Sequence, residues 1–187
     1  MKRIAIACTL AVGLTVPATA GAEKPTKTDK QNASEQCREL RTGMGEAAFN
    51  QLYGTNKNDE NAFGKCVSKF AKEEQQERKA AKSEAQKDCK AEQDADEAAF
   101  DEKYGTGKNG KNAYGKCVST QAKENKERAD KADEAKDENR VNAAKECREE
   151  QKADAAAFKE TYGTNANKSN AFGKCVSAKA KAQNDES

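Results

Sequence analysis

Asn170-Ala171-Phe172-Gly173-Lys174-Cys175-Val176-Ser177 recurs unchanged at residues 61–68 and with one difference, Tyr114 for phenylalanine, at residues 112–119. A longer frame surrounds it: a cysteine, ten or eleven residues, phenylalanine, three residues, Tyr-Gly-Thr, five residues, then the octet. It occupies residues 37–68, 89–119 and 147–177. Three copies of one unit, each opened and closed by a cysteine, set the organisation of the chain.

Composition explains why each copy needs its cysteines. Of 187 residues, 35% are hydrophobic and 35% charged, and histidine and tryptophan are absent. Such a chain cannot bury one large core. Among six phenylalanines and four tyrosines, only Phe70 lies outside the frames. The apolar material is therefore divided into three small portions. A loop of about 30 residues closed by a disulfide gains roughly 3.5 kcal/mol in the chain-entropy model, enough to decide whether so small a unit folds.

Residues 1–22 read as a secretory signal: Lys2 and Arg3, an apolar run over residues 4–16, then small residues that allow cleavage after Ala20 or Ala22. The run is shorter than the roughly 20 residues that cross a bilayer, so no membrane span is expected. Cleavage would remove Lys2, Arg3 and Cys8, leaving basic and acidic residues equal in number. Interspersed charge of zero net sign gives no electrostatic reason to bind nucleic acid or anionic lipid. The six remaining cysteines are an even number in an exported chain, the arithmetic of a disulfide framework. Six cysteines allow fifteen pairings. One bond within each frame, Cys37–Cys66, Cys89–Cys117 and Cys147–Cys175, is the economical choice.

Residues 23–31 are polar, contain Pro25 and read as a flexible leader. Asn32 and Glu35 have the spacing of a capping box, which would start a helix carrying Cys37. Asp96 and Asp154 precede Glu97-Ala98-Ala99-Phe100 and Ala155-Ala156-Ala157-Phe158, where aspartate suits the N-cap of a new short helix. In the first frame Gly43 and Gly45 favour the same break. Without that break the two cysteines of a frame could not meet. The short helix presents phenylalanine and tyrosine four residues apart on one face. Gly54, Gly105 and Gly163 then fit a left-handed C-cap. Polar loops follow at 55–60, 106–111 and 164–169, and Asn61, Asn112 and Asn170 are placed to cap the next helix.

The connectors, residues 69–88 and 120–146, contain neither proline nor glycine and are rich in helix formers. Glu74/Arg78, Glu124/Arg128 and Glu127/Lys131 are spaced for pairing along one solvated helix. The interval from Cys117 to Cys175 exceeds that from Cys66 to Cys117 by seven residues, nearly two helical turns, as a rigid helical spacer would require.

The frame Phe-x3-Tyr-Gly-x6-Asn-Ala-Phe-Gly-Lys-Cys-Val-Ser resembles a repeat of uncharacterised secreted bacterial proteins, in which the short helix often opens with Asp-Pro. Here the openings are Asp96-Glu97 and Asp154-Ala155. The resemblance implies export and repetition, and brings no activity, ligand or catalytic residue with it.

No chemistry stands out. Without histidine the commonest general base is missing, and paired cysteines are not nucleophiles. Carboxylates such as Asp94 and Asp96 are spread along charged helices, so an enzyme is not expected. Cysteines this far apart lack zinc spacing, and residues 56–60 lack the turn glycine and closing glutamate of a calcium loop, so no metal or other cofactor is expected. Lys65, Lys116 and Lys174, with Ser68, Ser119 and Ser177, are the repeated polar residues left without a structural task, hence the candidate binding residues. Gly64, Gly115 and Gly173 imply close approach of a neighbouring backbone or ring.

The reading is an all-α, elongated array of three small disulfide-stapled helical units at 32–68, 89–119 and 147–177, joined by charged connecting helices and ended by a tail at 178–187. Its expected role is that of a secreted, non-catalytic structural or interaction protein. Its units would be displayed to a repetitive cell-envelope or extracellular polymer, with no oligomer indicated. The alternative is a small-molecule or peptide binding module that uses the aromatic cluster of each repeat.

Overall fold

A computed structural model describes residues 23–106 and 110–185. The expected signal at 1–22 lies outside the described residues. Seven helices follow in order: α1 (Lys27–Met44), α2 (Glu46–Tyr53), α3 (Ala62–Ala95), α4 (Glu97–Tyr104), α5 (Ala113–Ala153), α6 (Ala155–Tyr162) and α7 (Ala171–Asp185). No strand occurs among the described residues.

Each frame is a long helix, a break, an eight-residue helix, a loop and a second long helix. The breaks fall where the sequence predicts. The Asp96 carboxylate accepts from the Ala99 amide at 3.0 Å, and that of Asp154 from the amides of Ala156 and Ala157 at 3.0 and 2.9 Å. Gly45, at φ 84°, makes the corresponding break in frame 1. Three disulfides close the frames, Cys37–Cys66, Cys89–Cys117 and Cys147–Cys175, each with its Cα atoms 6.0 Å apart.

With neither proline nor glycine after their first turn, α3 and α5 run as single helices of 34 and 41 residues, each carrying the last cysteine of one frame and the first of the next. The seven-residue difference in spacing is the difference in their lengths. They lie antiparallel against each other. The Gln86 carbonyl accepts from the Tyr114 hydroxyl at 3.2 Å, the Ala81 carbonyl from Asn125 at 3.4 Å, and Glu77 from Lys126 at 3.3 Å. Numbers fall along one helix as they rise along the other.

This reversal modifies the expected array. Because α5 returns along α3, frames 1 and 3 lie at the same end and share one core, which joins Leu40, Phe49, Tyr53 and Phe70 to Phe158, Phe172 and Val176. Frame 2 stands at the other end with a separate small core of Cys89, Phe100, Ala113 and Cys117. The connectors are packed rather than simply solvated: Ala81 and Ala85 of α3 are buried. Glu74/Arg78, Glu124/Arg128 and Glu127/Lys131 do not close as ion pairs among the described residues: Arg128 donates to Asn125 and Glu127 pairs with Lys123 on the same helix, while Glu74 and Arg78 find partners on neighbouring helices. Arg78 reaches across to Asp29 of α1 at 3.2 Å, and Lys126 to Glu74 of α3 at 3.0 Å.

The leader is also corrected. Residues 27–31 are already helical, because the capping box lies at Thr26 and Asp29 rather than at Asn32 and Glu35. The Thr26 hydroxyl accepts from the Asp29 amide at 3.1 Å, and the Asp29 carboxylate from the Thr26 amide at 2.7 Å. Glu23 is held by Arg78 at 3.3 Å and Lys79 at 3.4 Å. No helix is long and apolar enough to cross a membrane among the described residues.

Candidate functional site

The interior of each frame is filled by its own side chains. Phe49 and Tyr53 pack with tilted rings, centroids 4.9 Å apart, as do Phe100 and Tyr104 at 4.9 Å and Phe158 and Tyr162 at 5.0 Å. All six cysteines and all three phenylalanines are buried. The aromatic side chains of each frame pack against one another and against its disulfide.

The polar loops have a structural purpose of their own. Asn61 and Asn112 stand at the N-cap position without capping. Their side chains turn back and tie the loop. Asn61 Oδ1 accepts from the Thr55 amide at 3.0 Å while its Nδ2 donates to Thr55 Oγ1 at 2.9 Å. Asn112 does the same to Thr106, and Asn170 to Thr164. The left-handed residue sits later than predicted, at Asp59 (φ 53°), Gly110 (φ 62°) and Lys168 (φ 53°). Gly54, Gly105 and Gly163 adopt ordinary negative φ. Glycine is required there by crowding: a β-carbon on Gly105 would lie 2.8 Å from Gly110 Cα, and one on Gly163 would lie 2.5 Å from the Lys159 carbonyl oxygen.

On the outside, Lys65, Lys116 and Lys174 and Ser68, Ser119 and Ser177 are all exposed, in equivalent places on the second helix of each frame. None of the three lysines makes an ion pair among the described residues. The Ser177 hydroxyl donates to the Gly173 carbonyl at 2.8 Å. The glycines of this ridge do not meet the close neighbours expected of them. Around Gly64 and Gly115 an added β-carbon would meet nothing within 4 Å, and at Gly173 only Leu52 Cδ1, at 4.0 Å. Tyr114, whose Phe172 counterpart is buried, is 36% exposed and keeps its hydroxyl on the Gln86 carbonyl.

The pairing of frames 1 and 3 creates a concavity absent from either alone. A groove of about 1040 Å³ runs between α2 with its loop and α7, walled by Lys69, Arg140, Lys174 and Lys181 against a single acid, Asp59. Tyr53 contributes to its floor, 8% exposed, and its buried hydroxyl has no hydrogen bond of ordinary geometry. Burial pushes this phenol up to about 12, opposed by the nearby Arg140 guanidinium. Arg140 lies over the Phe70 ring at 5.2 Å and is paired with Asp137. Of the candidate binding residues, Lys174 and Ser177 line this groove. Lys69, Arg140 and Lys181 come from outside the frames, and nothing in the repeat places them together.

A second groove, of about 1010 Å³, lies between α1 and α5 and has the opposite charge: Glu35, Glu39, Glu74, Asp130, Asp133, Glu134, Asp137 and Glu138 line it with no basic residue. Glu74 and Asp130 of this lining converge with Glu77 closely enough to hold a cation. The Lys126 ammonium fills that role, 3.0 Å from Glu74, 3.3 Å from Glu77 and paired with Asp130. Burial first, then the hydrogen bond and charge of Asp133, push Glu77 up to about 7.

The three disulfides are consistent with a non-cytoplasmic protein. Set against protein-family models, curated proteins and solved structures, the chain matches none of them.

Proposed function

We propose that the protein is an exported, non-catalytic binding protein whose stapled frames display one polar ridge three times to a repetitive partner, a cell-envelope or extracellular polymer. One observation carries the reading. Gly64 and Gly115 lie in helices, where glycine costs roughly 0.5–1 kcal/mol against alanine, yet no atom of the molecule uses the space they leave. A repeated glycine without an internal neighbour suits a surface whose backbone is approached from outside, and Lys65/Ser68 and Lys116/Ser119 flank it. Multiplication of a weak contact on a rigid frame raises avidity only where the partner also repeats. The signal-like N-terminus and the resemblance of the frame to repeats of secreted bacterial proteins support export.

Sedimentation with insoluble cell-wall polysaccharide tests this. The Gly64→Ala/Gly115→Ala protein should melt higher and sediment several-fold less. Unchanged sedimentation of the stabilised variant would remove the reading.

A further inference from the structure

We propose that the groove between frames 1 and 3 is a single binding site for a phosphate-bearing ligand, with the phosphate held between Lys174 and Lys181 and the Tyr53 hydroxyl beneath it. The proposal rests on the reading of the chain as a binding protein and names for it a site and a ligand class.

The first support is unbalanced charge. Lys174 and Lys181 are seven residues apart on α7, so they share a face about 10 Å apart along the axis. Neither makes an ion pair among the described residues. Lys69 and Arg140 add two more cations to the same walls. Lys69 has only a long 3.9 Å contact with Glu73. Arg140 is already paired with Asp137, so the charge left unbalanced is chiefly that of Lys174 and Lys181. Ammonium groups on flexible stems suit a phosphate as point charges.

The second support is independent and lies in how frame 1 departs from its siblings. In frames 2 and 3 the tyrosine of the short helix donates to a glutamate twelve residues earlier, Tyr104 to Glu92 at 3.0 Å and Tyr162 to Glu150 at 2.9 Å. Frame 1 has one residue more between its first cysteine and its tyrosine, and the helix position three after that cysteine, held by Glu92 and Glu150 in the other frames, is Leu40 there. The Tyr53 hydroxyl thereby loses its acceptor: the Arg140 guanidinium beside it can only donate, so the O–H is buried with nothing to accept its proton. Frame 1 also carries Leu52 where the others have Lys103 and Thr161, and Leu52 is the residue that approaches Gly173 of frame 3. Leu52 and Tyr53 both line the groove. A phosphate oxygen at the groove floor would give Tyr53 the acceptor that its repeat position lost.

Isothermal titration at low salt with inorganic phosphate and with glycerol 3-phosphate tests the site. One equivalent should bind, because the groove occurs once whereas the ridge occurs three times. Binding of the ester alone identifies an ester as the source, and binding of both identifies the free anion. Either result requires that Lys174→Ala/Lys181→Ala weaken the affinity at least tenfold and Tyr53→Phe several-fold. Lys65→Ala/Lys116→Ala, which removes the same charge from equivalent places outside the groove, should change it less than twofold. No binding, a stoichiometry of three, or equal losses in the two lysine pairs would overturn the proposal. Sedimentation of Gly64→Ala/Gly115→Ala with polymer is unaffected by those outcomes, so failure of the groove and failure of the ridge are read separately.

Discussion

At the scale of single residues, the repeat contains two glycines that the structure treats in opposite ways. Gly105 is enclosed by the Asp101 carbonyl and Gly110, whereas Gly115, ten residues on, faces open space. Gly105→Ala should lower stability by about 2 kcal/mol, in the range of enforced overpacking. Gly115→Ala should raise it by roughly 0.5–1 kcal/mol. Urea unfolding of the two variants checks the sign of each. The sequence shows that these positions matter but reverses their reasons. Tyr-Gly looks like a left-handed cap because glycine follows the last apolar residue of a helix. The turn instead places positive φ five residues later, at Asp59, Gly110 and Lys168, and only frame 2 has glycine there. Likewise Asn61, Asn112 and Asn170 occupy the cap position, but a threonine six residues back competes successfully for their side chains. One-dimensional spacing does not reveal that competition.

At the scale of elements, the contact between α3 and α5 depends on small and charged residues. Lys126 neutralises Glu74, Glu77 and Asp130 while largely screened from water, 19% exposed. Lys126→Met should leave three carboxylates facing one another. It should cost about 2 kcal/mol, less than the roughly 3–5 kcal/mol of breaking a fully buried pair because these groups retain some solvent. Chemical denaturation would measure it. The same cluster sets a pH response. Glu77 has a folded-state pKa of about 7, above its unfolded value, through burial and the neighbouring Asp133. The folded chain therefore holds a proton that the unfolded chain releases between about pH 4.5 and 7. That contribution is fully present below the unfolded value and is lost as pH rises through about 7. The melting temperature should accordingly fall over this interval, and Glu77→Gln should flatten the fall. The helical character of the connectors is legible in their composition. Their partner is not, since no apolar stripe marks the face that packs and the decisive contacts are Ala81, Ala85 and a lysine.

At the scale of the whole molecule, the cysteine spacing announces three stapled frames, and the pairing follows. What it conceals is the return of α5 along α3, which merges frames 1 and 3 and isolates frame 2. From that return come the two grooves. A chain whose charges sum nearly to zero shows a basic wall at Lys69, Lys174 and Lys181 and an acidic one along α1 and α5, and composition averages the two away. The small core of frame 2 should also make it the frame most dependent on its staple. Replacing Cys89 and Cys117 by alanine should erase amide protection across residues 89–119, while the same change at Cys37 and Cys66 leaves most of the shared core protected. The fold-back itself is tested most directly by small-angle X-ray scattering of residues 23–187. A folded-back chain should have a maximum dimension near the length of α5, about 60–75 Å for 41 residues and their side chains. A maximum dimension beyond about 110 Å, the length of α3 and α5 end to end at 1.5 Å per residue, would contradict the shared core of frames 1 and 3 and the groove between them.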